Sequence, residues 1–155
     1  MIVVRAFQRG DEPALRAVFA SAIHGTARRD YSPRQLDTWA PRDHDVDAWA
    51  VRMQGIAPFV ALLDDRVAGY ADLQDSGYID HFYVAAEAGG QGVGGQLMRR
   101  ILARAEGLGL QQLSSHVSLT AQPFFAHFGF EIVEHRVVDV RAVQMRNAAM
   151  RKALR

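Results

Sequence analysis

Hydrophobic and polar positions along the chain change period several times, and each change predicts an element. "IVVRAF", near the N-terminus, is short and β-branched, which predicts a first strand. Past Gly10 and Asp11, the residues Leu15, Val18, Phe19, Ala22 and Ile23 recur at helical spacing. The glycine and basic residues of "HGTARRDY" suit the end of that helix. "SPRQLDTWAP" predicts a second helix, with Ser32 as N-cap, Pro33 at the first helical position and Pro41 as the stop. A third helical piece, about 46–54, carries Trp49 and Met53. After Gly55 come short apolar runs: "APFVALL", "VAGYADLQ" and "YIDHFYV" predict three strands, joined by "DDR" and "DSG" as an antiparallel meander.

The pattern then returns to helix. From about Gly92 to Glu106, Val93, Leu97, Ile101, Leu102 and Ala105 form one apolar face. "LGLQQLSSHVS" predicts another strand, and "TAQPFFAHFGF" a short helix ended by Gly129. In the tail, the valines of "EIVEHRVVDVRAV" favour strand, while "QMRNAAMRKAL" is helical by propensity alone. A mixed order with one crossover helix gives the class α+β, or α/β with a largely antiparallel sheet. With no repeat or linker, the 155 residues are expected to form a single domain, 1–155.

Composition narrows function mainly by exclusion. Net charge is +1, so bulk electrostatics favours neither a nucleic-acid nor a membrane partner. All basic residues are arginine except Lys152, which is composition bias rather than a phosphate-binding signal. There is no cysteine, which excludes disulfides, thiolate metal sites and a cysteine nucleophile. "MIVVRAFQRG" lacks the apolar stretch of a signal peptide and no run approaches a membrane span, so a cytoplasmic location is expected. "DHDVD" suggests a calcium loop, but Ala48 and Gln54 stand where that loop needs Gly and Glu, so no metal is expected.

The chemistry concentrates in "AGGQGVGGQLM", where Gly89, Gly90, Gly92, Gly94 and Gly95 fall within seven positions. Gly90-x-Gly92-x-x-Gly95 satisfies the dinucleotide pattern in letters. That pattern also wants an acidic residue ending the next strand, and "QQLSSHV" has none. A phosphate-binding loop of the Gly-Lys-Ser/Thr type fails for want of a nearby lysine. What remains is general physics: successive N–H groups at a helix start form an anion site, strengthened by the helix dipole.

"YIDHFYVAAEAGGQGVGGQLMRRILARAEGLGL" followed by "HVSLTAQPFFAHFGFEIV" resembles the GNAT superfamily of acetyl-CoA-dependent N-acetyltransferases over about residues 57–134. The family's Arg/Gln-x-x-Gly-x-Gly/Ala signature falls with its glycines on Gly92 and Gly94, and Gly89 occupies the Arg/Gln place. "DYSPRQLDTWAP" and "GYIDHFYV" resemble a YafP-like bacterial subgroup. The resemblance implies a three-layer GNAT fold with a mixed, mostly antiparallel seven-stranded sheet and about four helices. Its order is strand, helix, helix, three strands, helix, strand, helix, two strands, which makes "QMRNAAMRK" the last strand.

The resemblance further implies transfer of acetyl from acetyl-CoA to a primary amine, on a small molecule or a peptide, by direct attack in a ternary complex. Gly89, Gly90, Gln91, Gly92, Val93, Gly94 and Gly95 would hold the CoA pyrophosphate, by backbone alone since Gly89 offers no side chain. Phe82, Tyr83 and Val84 would pair with the pantetheine arm, and Ser118 stands where relatives place an asparagine near it. Asp80 and His81 are the candidate catalytic groups, on opposite faces of the strand by alternation, with His116 a lesser one better read as a core histidine. Tyr31, Trp39 and Tyr78 are candidates for the acceptor, with Arg28 and Arg29 nearby but more readily explained as a solvated helix end. Phe125 replaces the tyrosine that protonates the thiolate in many relatives, which leaves a non-catalytic acyl-CoA-binding module as the alternative. A homodimer is an open assembly state.

Overall fold

The computed structural model describes residues 1–154. β1 (Ile2–Ala6) leads to α1 (Glu12–Ser21), and Asp11 joins the two. Its carboxylate accepts both Arg5 guanidinium N–H groups, at 2.8 and 2.9 Å, and the Gln8 N–H at 2.8 Å. α1 runs on into one π-helical turn, Ala22–Thr26, and a short 3-10 turn, Ala27–Arg29. Gly25 lies in the π turn because a Cβ there would meet the Ala86 Cβ at 2.6 Å. α2 (Pro33–Trp39) starts with a reciprocal cap: Ser32 Oγ accepts the Gln35 N–H at 3.2 Å, and Gln35 Oε1 accepts the Ser32 N–H at 2.8 Å. α3 (Val46–Ile56) is capped by Asp45, whose carboxylate accepts the Ala48 N–H at 3.0 Å. That cap accounts for one carboxylate of "DHDVD".

β2 (Phe59–Leu63), β3 (Arg66–Ala71) and β5 (Phe82–Val84) form the expected antiparallel meander, with β1 along the outer edge of β2. The second sheet takes the order β4-β6-β8-β7, from β4 (Tyr78–Ile79), β6 (Gln112–Ser118), β7 (Glu131–Val140) and β8 (Val143–Ala153). β4 and β6 are parallel and the other pairs antiparallel. α4 (Val93–Gly107) and α5 (Gln122–His127) complete the fold. The tail is the strand β8 rather than the helix its propensity suggests, because pairing with both β6 and β7 overrides a weak local preference.

The fold class is thus the expected one; the described residues form eight strands instead of seven, because segment 78–84 is divided between the two sheets, and five α-helices instead of about four. Asp72, fully buried just past β3, divides that segment. One carboxylate oxygen accepts the N–H groups of Asp80 and His81, at 2.8 and 2.7 Å. The Asp72 N–H donates to the His81 carbonyl at 3.1 Å. Residues 80 and 81 therefore bond to a side chain, and β4 and β5 leave in different sheets. Pairing between β4 and β6 ends at Ile79 and Ser115, and the two sheets diverge beyond.

That divergence exposes backbone. His81 and Ala85 bond to β3, through Asp72 N–H to His81 C=O at 3.1 Å and Ala85 N–H to Ala68 C=O at 2.8 Å. Alternate residues of an antiparallel pair face one neighbour. Tyr83 therefore faces β3, while the N–H and C=O groups of Phe82 and Val84 point toward the gap.

Two helical layers enclose the first sheet. A Cβ on Gly69 would meet side chains of Val93 and Leu97 at 3.0 and 3.1 Å, which puts α4 on that face. Tyr70, the next residue, points to the α1 side. Val93, Leu97, Met98, Ile101 and Ala105 of α4 are buried, each large one contributing roughly 1.5–3 kcal/mol. Among the described residues, no helix is long and apolar enough to cross a membrane.

Candidate active site

The start of α4 is built to be bare. Gly92 occupies its N-cap with φ +90°, and Gly90 has φ +76°, both in the region that L side chains avoid. The first helical bond is Gln96 N–H to Gly92 C=O at 3.1 Å. Among the described residues, no acceptor is bound by the N–H groups of Gly90 through Gly95. A 15-residue helix adds the positive end of its dipole. Gly94 is close-packed for another reason: a Cβ would lie 3.0 Å from the Phe124 ring. Gln91 turns away, its amide donating to the Glu87 carbonyl at 3.4 Å. The Arg99 guanidinium folds back to 3.4 Å from the Gly95 Cβ position.

A cleft of about 460 Å³ extends from this loop along the gap between β5 and β6. Gly89 and Gly94 border it at one end, and Phe82 and Val84 along its length. The free N–H groups of the helix start and an apolar trough fit a donor with a pyrophosphate at one end and a narrow arm, with the Arg99 guanidinium near the loop but outside the lining. A second cavity, of about 170 Å³, opens beyond β5 and β6. The two cavities share Trp39, Phe82, Tyr83, Ser118, Ala121 and Phe125 as walls. They meet at that partition.

Ser118 is the hydroxyl at the junction. Its Oγ accepts the Ala121 N–H at 3.2 Å, and no described residue accepts its proton. Phe125 is buried, edge-on to Phe82 at 5.5 Å and to Phe130 at 5.0 Å between ring centroids. It packs and carries no proton. Tyr31 borders the smaller cavity, where its hydroxyl donates to the Arg146 carbonyl and accepts the Leu119 N–H at 3.0 Å. Trp39 stands edge-on to it at 5.3 Å. Arg28 and Arg29 border neither cavity.

The two histidines exchange the places expected of them. His81 is 6 % exposed, borders neither cavity, and is ringed by Phe19, Trp49, Tyr70 and Tyr83 at centroid distances from 5.5 to 6.1 Å. Its Nδ1 bonds the Tyr70 hydroxyl at 2.9 Å. Burial lowers its pKa to about 4, against a raising effect of Asp80, so the ring is neutral near pH 7. His116 is exposed and borders the smaller cavity. Its Nδ1 lies 3.2 Å from the Tyr78 hydroxyl, and burial followed by Arg136 lowers its pKa. Tyr78 stands behind His116 rather than in the cavity wall.

Asp80 does border the smaller cavity, and Arg52 of α3 holds its carboxylate at 2.6 Å. Asp72, behind it, has its pKa raised to about 6 by burial, against the lowering effect of its two backbone bonds. Asp72, Arg52, Arg99 and Asn147 escape the sequence reading. Only Arg99 leaves a local signal, four residues after Gly95 on one helix face.

A split sheet with an unpartnered helix start on one side and a small polar-walled cavity on the other has the geometry that acyl transfer requires. The description "Acetyltransferase (GNAT) domain" belongs to a family model that matches residues 27–149, and the chain is a member of that family. It is an N-acetyltransferase with acetyl-CoA as its donor cofactor, as the family resemblance implies. The YafP-like resemblance also holds. The chain is 31% identical over 150 residues to the uncharacterised N-acetyltransferase YafP of Escherichia coli K12, covering 97% of this chain and 95% of that one. Among solved structures, a GCN5-related N-acetyltransferase from Rhodopseudomonas palustris matches with TM-score 0.93 and 28% identity, over 98% of this chain and 95% of its own. The PaiA N-acetyltransferase of Thermoplasma acidophilum, solved with coenzyme A, shares the fold at TM-score 0.70 and 16% identity, over 99% of each chain.

Proposed function

We propose that the enzyme passes acetyl directly to a primary amine that enters through the smaller cavity. The observation that carries this reading is the shared partition, with Ser118 in the wall of both cavities. The chain has no cysteine to carry an acyl group, which favours direct transfer. Bound acetyl-CoA supplies the acetyl thioester. The N–H groups of Gly90 to Gly95, with Arg99, hold its phosphates, and the outward backbone groups of Phe82 and Val84 align its arm.

Asp80 draws the ammonium form of the acceptor into the cavity. His116 then takes the proton, through water, with Nδ1–H donating to the Tyr78 oxygen and Nε2 free as the base. His81, neutral and enclosed, supports Asp80 from behind instead of titrating. Ser118 holds a hydroxyl proton at the junction, where the departing sulfur needs one and Phe125 has none to give.

Thiol release across a panel of primary amines tests the reading. Ser118→Ala is expected to lower kcat roughly tenfold to hundredfold with little change in the acetyl-CoA Kd. Acetyl-CoA binding without thiol release from any amine would refute direct transfer.

A further inference from the structure

Asn147, like Ser115 and Arg146, is a polar residue lining the smaller cavity to which the proposed transfer gives no part. Its Oδ1 is shielded from solvent, and no described residue donates to it. Proteins retain few buried acceptors without a donor, because such groups lose their water and gain nothing in return. The sheet fixes where this one stands. Asn147 of β8 lies directly opposite Ser118 of β6, and opposed residues project to the same face. Met145, two residues earlier, and Val138, opposite Met145 on β7, continue that face as apolar wall. Ser118 belongs to both cavities, so Asn147 is beside the place where acceptor and donor meet.

We infer that Asn147 Oδ1 binds one N–H of the acceptor and selects primary amines borne on a compact alkyl stem. The inference rests on the acceptor entering by the smaller cavity. Amide formation joins nitrogen to the acetyl carbon and breaks the thioester C–S bond. Once the base has passed the ammonium proton to water, it takes one nitrogen proton from the adduct. Sulfur receives one through the Ser118 hydroxyl, which the protonated base replenishes through water, so base and hydroxyl end as they began. A neutral primary amine begins with two N–H groups, so one can stay on Asn147 from binding to product. A secondary amine has a single N–H, which is the one it must give up, and Asn147 ends without a partner. A cavity of about 170 Å³ compares with the roughly 150 Å³ that encloses one benzene-sized ligand. The inserted stem is therefore limited to roughly six non-hydrogen atoms, which a free alkylamine and a lysine side chain both satisfy.

The test compares butylamine, N-methylbutylamine and a lysine-containing peptide by thiol release, with acetyl-CoA binding measured calorimetrically on each variant. The wild-type enzyme is expected to favour butylamine or the peptide over N-methylbutylamine by at least about tenfold in kcat/KM. Asn147→Leu, close in shape and without an acceptor, should remove roughly tenfold from the primary amine and little from the secondary one, with the acetyl-CoA Kd unchanged. Asn147→Asp keeps an acceptor oxygen and should keep the preference, so the comparison survives if the leucine variant does not fold. Preference for the peptide over butylamine, lost in Asn147→Leu, supports the same contact with a protein as the source of the amine. A preference that persists undiminished in Asn147→Leu, or equal use of both amines by the wild type, overturns the inference while leaving the proposed transfer intact. Binding of acetyl-CoA with no turnover of any primary amine overturns both.

Discussion

Asp72 Oδ1 accepts the His81 N–H at 2.7 Å, while the Asp72 N–H donates to the carbonyl of the same residue at 3.1 Å. A backbone held from both directions cannot rotate to rejoin a neighbouring strand. With the Asp80 N–H on the same oxygen at 2.8 Å, this contact opens the gap between β5 and β6 along which the larger cleft runs. Asp72→Ala leaves two buried N–H groups without a partner, at about 1–3 kcal/mol each. Urea denaturation should show a loss of about 2–6 kcal/mol, and less for Asp72→Asn, which keeps one acceptor oxygen. A change under about 0.5 kcal/mol in the alanine variant would mean that something else divides the strand.

Stability against pH should separate two buried groups that oppose one another. The raised pKa of Asp72, about 6 against an ordinary 3.8, favours folding fully below 3.8, and the benefit is lost as pH rises through 6. The lowered pKa of His81, about 4 against 6.5, favours folding fully above 6.5, and the benefit is lost as pH falls through 4. Asp80 and Arg52 are the charged groups acting on the His81 ring. Over pH 4 to 6 the two effects run in opposite directions. His81→Phe should therefore become more stable on acidification across that window, and Asp72→Asn less stable more steeply than the wild type. Parallel curves for all three proteins would show that neither group titrates in the folded state as its burial requires.

Much of this was legible in the residues, for reasons that also mark the limit. Ser32 and Pro33 announce α2 because a cap is a local event, decided within four positions. The glycine loop is equally local, since positive φ at Gly90 and Gly92 needs no distant partner. The break at Asp80 and His81 is not local: its cause is Asp72, in the preceding strand segment. Alternation puts Asp80 and His81 on opposite faces, yet says nothing of which face is walled by Phe19 and Trp49. His116 and Asn147 depend on register between β6 and β8, within a tail whose own propensity favours helix.

The anion cradle predicts a graded response. Gly92→Ala forces an alanine to φ +90° at the helix start, a strain of about 1–2 kcal/mol, and should weaken acetyl-CoA binding about tenfold by calorimetry. Arg99→Ala should cost less, roughly threefold to tenfold, and should flatten the dependence of Kd on salt, because it removes a screened charge and leaves the backbone donors in place. Gly107→Ala, at the far end of the same helix with open space around it, should bind acetyl-CoA normally. Equal losses at Gly92 and Gly107 would point to helix stability instead of phosphate contact.

The base can be assigned by pH–rate profiles. If His116 accepts the proton, kcat/KM falls on the acid side as that ring becomes charged, at a pH below the usual histidine value, since burial and Arg136 both disfavour the cation. Arg136→Gln removes the second influence, so the acid limb should move to higher pH. Tyr78→Phe removes the bond that fixes the tautomer and should lower kcat with little change in acetyl-CoA binding. His116→Ala should reduce kcat/KM roughly hundredfold and abolish the limb. His81→Phe should retain it, because that ring is already neutral and turned away from both cavities. A limb that vanishes in His81→Phe and survives in His116→Ala would return the proton to the strand break at Asp80 and His81.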